Sequence, residues 1–370
     1  MNLDPGVIAQ PTLLIDRDRV MRNIERMANK AHQSGIRLRP HFKTHQSAQI
    51  GEWFRPYTVD AITVSSVDMA EYFAKHGWTD ITIAFPLNWR QIERIDRLAQ
   101  TITLHLLIEC AESAQFLATQ LRGQASVWID IDTGYGRTGT WWEDQHSIEQ
   151  IVEEVKNVSN VAFAGLLTHA GHTYHATATE EIKRIHQEAT DRMIRVRDAL
   201  GEECNSPIAI SIGDTPGCSV VDDLGEVDEI RPGNFVFYDV KQWQLGACTP
   251  DDIAIAVACP VVAKYGRRRE IVIYGGAVHL SKDWIVDEGG RRVFGYPARW
   301  TESGWDPAID DGVVSSLSQE VGVVKASKGL FQTSRVGDLL AVLPIHSCLT
   351  VSAMKHYITL DGARIDCMAD

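Results

Sequence analysis

Several short segments of this sequence combine residue types that do chemistry at spacings that let them act together. The first is Arg39-Pro40-His41-Phe42-Lys43-Thr44-His45. On an extended strand alternate residues share a face, so Arg39, His41 and Lys43 point the same way. A lysine enclosed at the mouth of a pocket loses hydration and moves toward its neutral form, as Schiff-base chemistry with a carbonyl requires. A solvated lysine on a loop is the alternative reading of this segment alone.

A second segment, Asp130-Ile131-Asp132-Thr133-Gly134-Tyr135-Gly136-Arg137-Thr138-Gly139, joins glycines that admit a ligand to the backbone with the planar donor fork of Arg137. Glycine-rich turns between strands and helices look similar. In Ser211-Ile212-Gly213-Asp214-Thr215-Pro216-Gly217, the residues Gly213, Asp214 and Thr215 form a candidate phosphate cradle. A tight strand-to-helix turn is its bland alternative. Arg231-Pro232-Gly233-Asn234 and then Tyr238 follow. Thr168-His169-Ala170-Gly171-His172-Thr173-Tyr174-His175 carries His169, His172 and His175. One strand end can hardly aim all of them inward. The reading is that one of them lines the pocket, Tyr174 lies near the ring of a bound cofactor, and the other histidines are solvated or structural.

Near the C-terminus stands Pro344-Ile345-His346-Ser347-Cys348. Read as an extended strand, it points His346 and Cys348 the same way, and the pair suits Zn²⁺. Two ligands are too few for a structural zinc, so the natural use is an open site completed by a third ligand, water or substrate. A buried cysteine beside an unrelated histidine is the competing reading.

Strand-like runs at 37–41, 61–65, 80–85, 103–109, 125–132, 161–169, 208–213 and 229–238 must position most of these groups. Helical patterns at 91–99, 111–120, 148–156 and 179–200 separate them, a turn-rich stretch fills 214–227, and another helix spans 17–34. Eight strands with crossover helices predict an α/β fold, a (β/α)8 TIM barrel with its chemistry where strands end. An open doubly wound sheet is the alternative. After Tyr238, strand-like runs at 252–262, 270–275, 322–324 and 338–343 predict a mainly β domain. The expected division is a barrel over 11–243 and a β domain over 244–370, with 1–10 as a possible extra strand.

The 370 residues are ordinary in composition, with 44% hydrophobic and 23% charged. A net charge of −13 argues against nucleic acid and anionic membranes as partners. No secretory leader and no run of ~18 apolar residues is evident. The seven cysteines, Cys110, Cys204, Cys218, Cys248, Cys259, Cys348 and Cys367, are scattered and lack a CxxC pair, which points to a reducing cytoplasm.

Together the segments resemble fold-type III pyridoxal-phosphate (PLP) enzymes. The run from Asp132 to Gly139 is similar to the alanine-racemase motif whose arginine, here Arg137, hydrogen-bonds the PLP phenolic oxygen. Arg231-Pro232-Gly233 resembles that family's segment near the pyridine nitrogen and phosphate. The lysine segment and His346-Ser347-Cys348 resemble the metal-dependent D-serine dehydratase and D-threonine aldolase group, over about residues 11–351. The resemblance implies an alanine-racemase-type barrel, Lys43 as Schiff-base lysine, and a divalent metal on His346 and Cys348: Zn²⁺, with Mn²⁺ or Mg²⁺ as alternatives. It implies PLP contacts from His41, Arg137, His169, Tyr174, Gly213, Asp214, Thr215, Arg231, Gly233 and Tyr238, and a homodimer. Aldolases of the group carry His-x-Asp where dehydratases carry His-x-Cys, so Cys348 tilts the expectation toward dehydration of a D-amino acid to a 2-oxo acid and ammonia. Retro-aldol cleavage to glycine and an aldehyde, a racemase and a non-catalytic PLP carrier are the alternatives. Two positions depart from the group: Gln46 stands where lysine is common, and Val321 where histidine is expected.

Overall fold

The computed structural model describes residues 3–201, 207–301, 304–306 and 312–368. Contacts divide the chain into two compact units, one of Met1–Ile24, Thr44–Trp53 and Asn234–Asp370, the other of Glu25–Lys43 and Phe54–Gly233.

The second of these holds eight parallel strands: Arg37–Leu38, Ile62–Val64, Asp80–Pro86, Thr103–Ile108, Ala125–Asp132, Val161–Thr168, Ala209–Ile212 and Glu229–Ile230. Each pairs with its neighbour in chain order, and Glu229–Ile230 returns to pair with Arg37–Leu38. The ring closes at its remaining seam, where Phe42 N donates to Thr63 O (2.9 Å) and Thr63 N donates to Pro40 O (3.0 Å). This is the expected barrel. Helices cross between strands because their sequences supply caps and an apolar stripe. Ser66 accepts from Met69 N (3.2 Å) to start Val67–Lys75, and Asp144 accepts from Ser147 N (3.2 Å) to start Gln145–Lys156. Ile148, Ile151, Val152 and Val155 of the latter are buried at helical spacing. Inside the ring Leu107, Trp128 and Leu167 pack together, each worth roughly 1.5–3 kcal/mol of burial. Gly165, at φ +145°, lets the sixth and seventh strands approach: a Cβ there would lie 2.1 Å from Ala209 O.

Three expectations need correction. The eighth strand stops at Ile230 instead of running to 238, because Pro232 has no N–H for a ladder and Asn234–Val236 turns into a 3₁₀ helix. The stretch 214–227 contains a short helix, Thr215–Val220, started by Asp214 and Pro216. The first strand ends at Leu38, and residues 42–45 form a turn.

In the other unit the long strand Ile255–Tyr265 is the hub. It pairs antiparallel with Thr12–Ile15, Leu339–Pro344 and Glu270–Tyr274. Val321–Ala326 and Gly312–Leu317 extend the sheet beyond Glu270–Tyr274. The sheet thus recruits residues 12–15, which the sequence reading gave to the barrel. Leu13, Leu14 and Ile15 are fully buried there, which explains the choice. The helix Ser347–Met354 follows the strand Leu339–Pro344. Cys110, Cys218, Cys259 and Cys367 form no disulfide among the described residues, and Cys204 lies outside them. Among the described residues no helix is long and apolar enough to cross a membrane.

Candidate active site

Polar groups gather at the C-terminal ends of the barrel strands. His41 has the charges of Lys43, Arg231, His169 and Arg137 around it, which places these residues in one neighbourhood. Loss of hydration, and then those charges, hold the His41 imidazole well below its usual range and therefore neutral. His169 is pulled down to about 3 by loss of hydration and by Arg137, against the opposing pull of its contact with Gly213 O. That contact joins His169 Nδ1 to the Gly213 carbonyl, which leaves Nε2 as the lone-pair nitrogen. Tyr135 stands edge-on to His169 at 5.9 Å, and Arg137 lies over the Tyr135 ring at 5.4 Å. His172 packs near-parallel to Tyr135 at 6.1 Å, and His175 is exposed. Lys43 is exposed, so the expected enclosure is corrected: the short first strand leaves it on the turn that follows.

Arg231 is fixed by a buried chain that the sequence reading did not find. Its Nε donates to Ser211 Oγ (2.7 Å) and its Nη2 to Thr168 O (2.6 Å). Ser211 Oγ donates to Glu229 (2.8 Å), whose other oxygen accepts from Arg39 Nε (2.5 Å). Arg39 in turn pairs with Asp80 (2.5 Å), which also faces His105 (3.2 Å). Burial pushes the Asp80 carboxyl up, but His105 and Arg39 outweigh it and hold the group well below the usual carboxylate range. Burial lowers Arg231 to about 10, partly offset by Glu229 and Asp130, so it stays charged at neutral pH. The i, i+2 spacings Arg39/His41, Ser211/Gly213 and Glu229/Arg231 were the available signal, since alternate strand residues share the barrel interior. Asp130, which accepts from Thr138 Oγ1 (2.7 Å), is raised to about 6 by burial.

Gly213, Asp214 and Thr215 stand where the seventh strand gives way to the helix Thr215–Val220, with a division of labour the sequence did not reveal. The Asp214 carboxylate is spent on the protein, accepting from Gly217 N (2.6 Å) and Thr173 Oγ1 (2.9 Å). Thr215 N donates to Tyr174 OH (3.3 Å). Thr215 Oγ1 is buried and has no hydrogen-bond partner among the described residues. A Cβ on Gly213 would lie 2.9 Å from Arg231 Cβ, so only glycine fits there. A buried hydroxyl with no partner, at a strand end of the barrel that also carries the Lys43, Arg137 and Arg231 charges around His41, fits a phosphate-bearing, carbonyl-reactive group such as PLP. Gly233 follows Arg231 at the end of this unit. Tyr238 belongs to the other unit, where it is buried at φ +48° and donates its N–H to Asn234 O (2.7 Å).

The metal pair also sits differently from expectation. The strand ends at Pro344; His346 caps the helix Ser347–Met354, and Cys348 lies in its first turn. Helical winding, not strand alternation, brings the two side chains within hydrogen-bond reach. Asp239 pins this helix start by accepting from Ser347 N (2.9 Å). His346 Nδ1 meets Asp283 Oδ2 at 2.8 Å. Burial lowers the His346 pKa, but Asp283 and Cys348 overcome it and raise it to about 11. One imidazole and one thiol suit a divalent metal with open positions. No third His, Cys, Asp or Glu completes a metal-holding group among the described residues. Gln46, at φ +52°, donates to Ser352 Oγ (2.7 Å), and Val321 is a partly exposed residue opening its strand.

The chain matches the family described as alanine racemase, N-terminal domain, over residues 15–240, and the serine dehydratase domain over residues 254–360. It is 28% identical to D-threo-3-hydroxyaspartate dehydratase of Delftia sp. (strain HT23), covering 95% of each chain. The solved structure of that enzyme superposes with a TM-score of 0.89 at 25% identity over 99% of both chains. A variant of the same enzyme has been solved in a metal-free form. D-serine dehydratase of Dictyostelium discoideum is 27% identical over 98% of this chain and 95% of its own. The 3-hydroxy-D-aspartate aldolase of Paracoccus denitrificans (strain Pd 1222) is 24% identical over 98% of this chain and 92% of its own. This chain therefore belongs to the alanine racemase N-terminal domain family, within fold-type III PLP enzymes, and carries the serine dehydratase domain behind it.

Proposed function

We propose that this protein is a PLP- and divalent-metal-dependent lyase of D-3-hydroxy amino acids, acting as a dehydratase that forms a 2-oxo acid and ammonia. The observation that carries the reading is the strand-end cluster of Lys43, Arg137, His169 and Arg231 around His41, with the orphaned Thr215 hydroxyl beside Tyr174. When bound, PLP supplies an electron sink at Cα, and a metal on His346 and Cys348 supplies Lewis-acid assistance to loss of the β-hydroxyl.

The protein's own groups do the rest. Lys43 would hold the cofactor, and its Nζ is the group that would take the Cα proton of the substrate. Thr215 Oγ1 and Tyr174 OH would hold the phosphate. Arg231, anchored to Glu229 through Ser211, would serve the cofactor as a fixed cation, and Arg137 would orient its phenolic oxygen. His41 and His169 stay neutral, so neither adds a positive charge to a pocket already rich in them. The net change converts D-serine into pyruvate and ammonia, with the water lost from Cβ balanced by the water that releases ammonia.

Retro-aldol cleavage is the second reading, and Cys348 is what favours dehydration over it. D-Threonine separates them, because it gives 2-oxobutyrate and ammonia by one route and glycine and acetaldehyde by the other. Incubation with PLP and Zn²⁺ is expected to give 2-oxobutyrate. Glycine and acetaldehyde instead would make the protein an aldolase.

A further inference from the structure

We propose that Asp283 is a positioning residue for metal binding, holding Nδ1 of His346 so that Nε2 is the nitrogen offered to the metal. The inference rests on reading His346 and Cys348 as metal ligands. His346 Nδ1 and Asp283 Oδ2 lie 2.8 Å apart, so a ring that gives up one proton to bind a metal keeps the other on Nδ1, against the carboxylate, and presents Nε2. A carboxylate behind a ligating imidazole fixes its tautomer and orientation and strengthens it as a donor.

The surrounding elements keep this geometry in place. Asp283 follows the helix Ala277–Leu280, whose C-cap Ser281 takes φ +67°. Ser281 Oγ accepts from Asp283 N at 3.2 Å, which fixes the turn. This helix packs on Ser347–Met354, where Thr350 Oγ1 donates to Leu280 O (3.4 Å). His346 is set by the same helix, whose first turn Asp239 anchors. The aspartate and the imidazole thus arrive from two packed elements with defined ends. The pair itself is partly exposed, with side chains 43% and 40% accessible, so as a plain ion pair it would add little to stability. A role in metal binding is the more informative use of it.

Zn²⁺ affinity of the PLP-loaded protein, measured by competition with a chromophoric chelator, tests the inference. Wild type is compared with Asp283→Asn, Asp283→Ala and His346→Ala. Asp283→Ala is expected to weaken Zn²⁺ binding by about 10- to 100-fold. Asp283→Asn, which keeps an acceptor oxygen but loses the charge, should fall between it and wild type. Melting temperature and cofactor absorption should stay at wild-type values in both, which a merely structural role would not predict. Wild-type affinity in both Asp283 variants, with His346→Ala defective, overturns the role of Asp283 and leaves the metal pair standing. Wild-type affinity in His346→Ala overturns the metal pair and this inference with it.

Discussion

Replacing Ser211 by alanine removes one oxygen from the middle of the buried chain that fixes Arg231. Two bonds to charged groups go with it: the one from Arg231 Nε at 2.7 Å and the one to Glu229 at 2.8 Å. Bonds of this kind contribute about 1.5–3 kcal/mol each, so the loss is about 3–6 kcal/mol, with a replacement water moving it toward the lower end. For a domain of this size, 3 kcal/mol corresponds to a melting shift of about 6–12 °C. The assay is a thermal scan of Ser211→Ala beside wild type and Ser211→Thr, at one scan rate and with excess PLP. Threonine keeps the hydroxyl and should retain most of the melting temperature. The absorption of bound cofactor should also move in the alanine variant, because Arg231 loses one of its anchors. A melting temperature and spectrum for Ser211→Ala that match wild type would refute the argument that this chain holds Arg231.

Asp130 gives a pH prediction. Its folded pKa of about 6 lies above the ordinary 3.8, so between these values the native state binds the extra proton and stability falls as pH rises. The full loss, roughly 3 kcal/mol, is reached above pH 6. Asp130→Asn, which can still accept from Thr138, should be nearly neutral in stability at pH 4 and clearly more stable than wild type at pH 7; equal differences at both pH values would refute it. For the metal, Cys348→Ala or exhaustive chelation is expected to abolish turnover of D-3-hydroxy amino acids while PLP stays bound. Unchanged rates after verified metal removal would make the His346 and Cys348 pair incidental.

The barrel was legible because its helices and longer strands carry their own local information: the helix at 111–120 and the strand at 125–132 were placed to the residue as Ala111–Gln120 and Ala125–Asp132. Segments governed by tertiary contacts were not. Thr12–Ile15 is too short to declare its partner, and burial against Ile255–Ala258 decides its sheet. Pro232 ended the eighth strand where β-branched residues suggested continuation. At the site, residue types were easier to read than partners. Lys43, Arg137, His169, Thr215 and Arg231 stand out by type and position, whereas Asp283 reaches His346 from 63 residues away and nothing local announces it. The His-x-Cys spacing drew attention for a strand geometry that does not exist, yet a helix N-terminus brings the same two side chains together.

Covalent mapping tests whether Lys43 is the residue that carries the cofactor. The PLP-loaded protein is reduced with borohydride, digested, and its peptides analysed by mass spectrometry for a pyridoxyl-lysine. The label is expected on the peptide containing Lys43, and its loss together with the visible absorption band is expected in Lys43→Ala. A label on another lysine, or an unchanged band in Lys43→Ala, would contradict it.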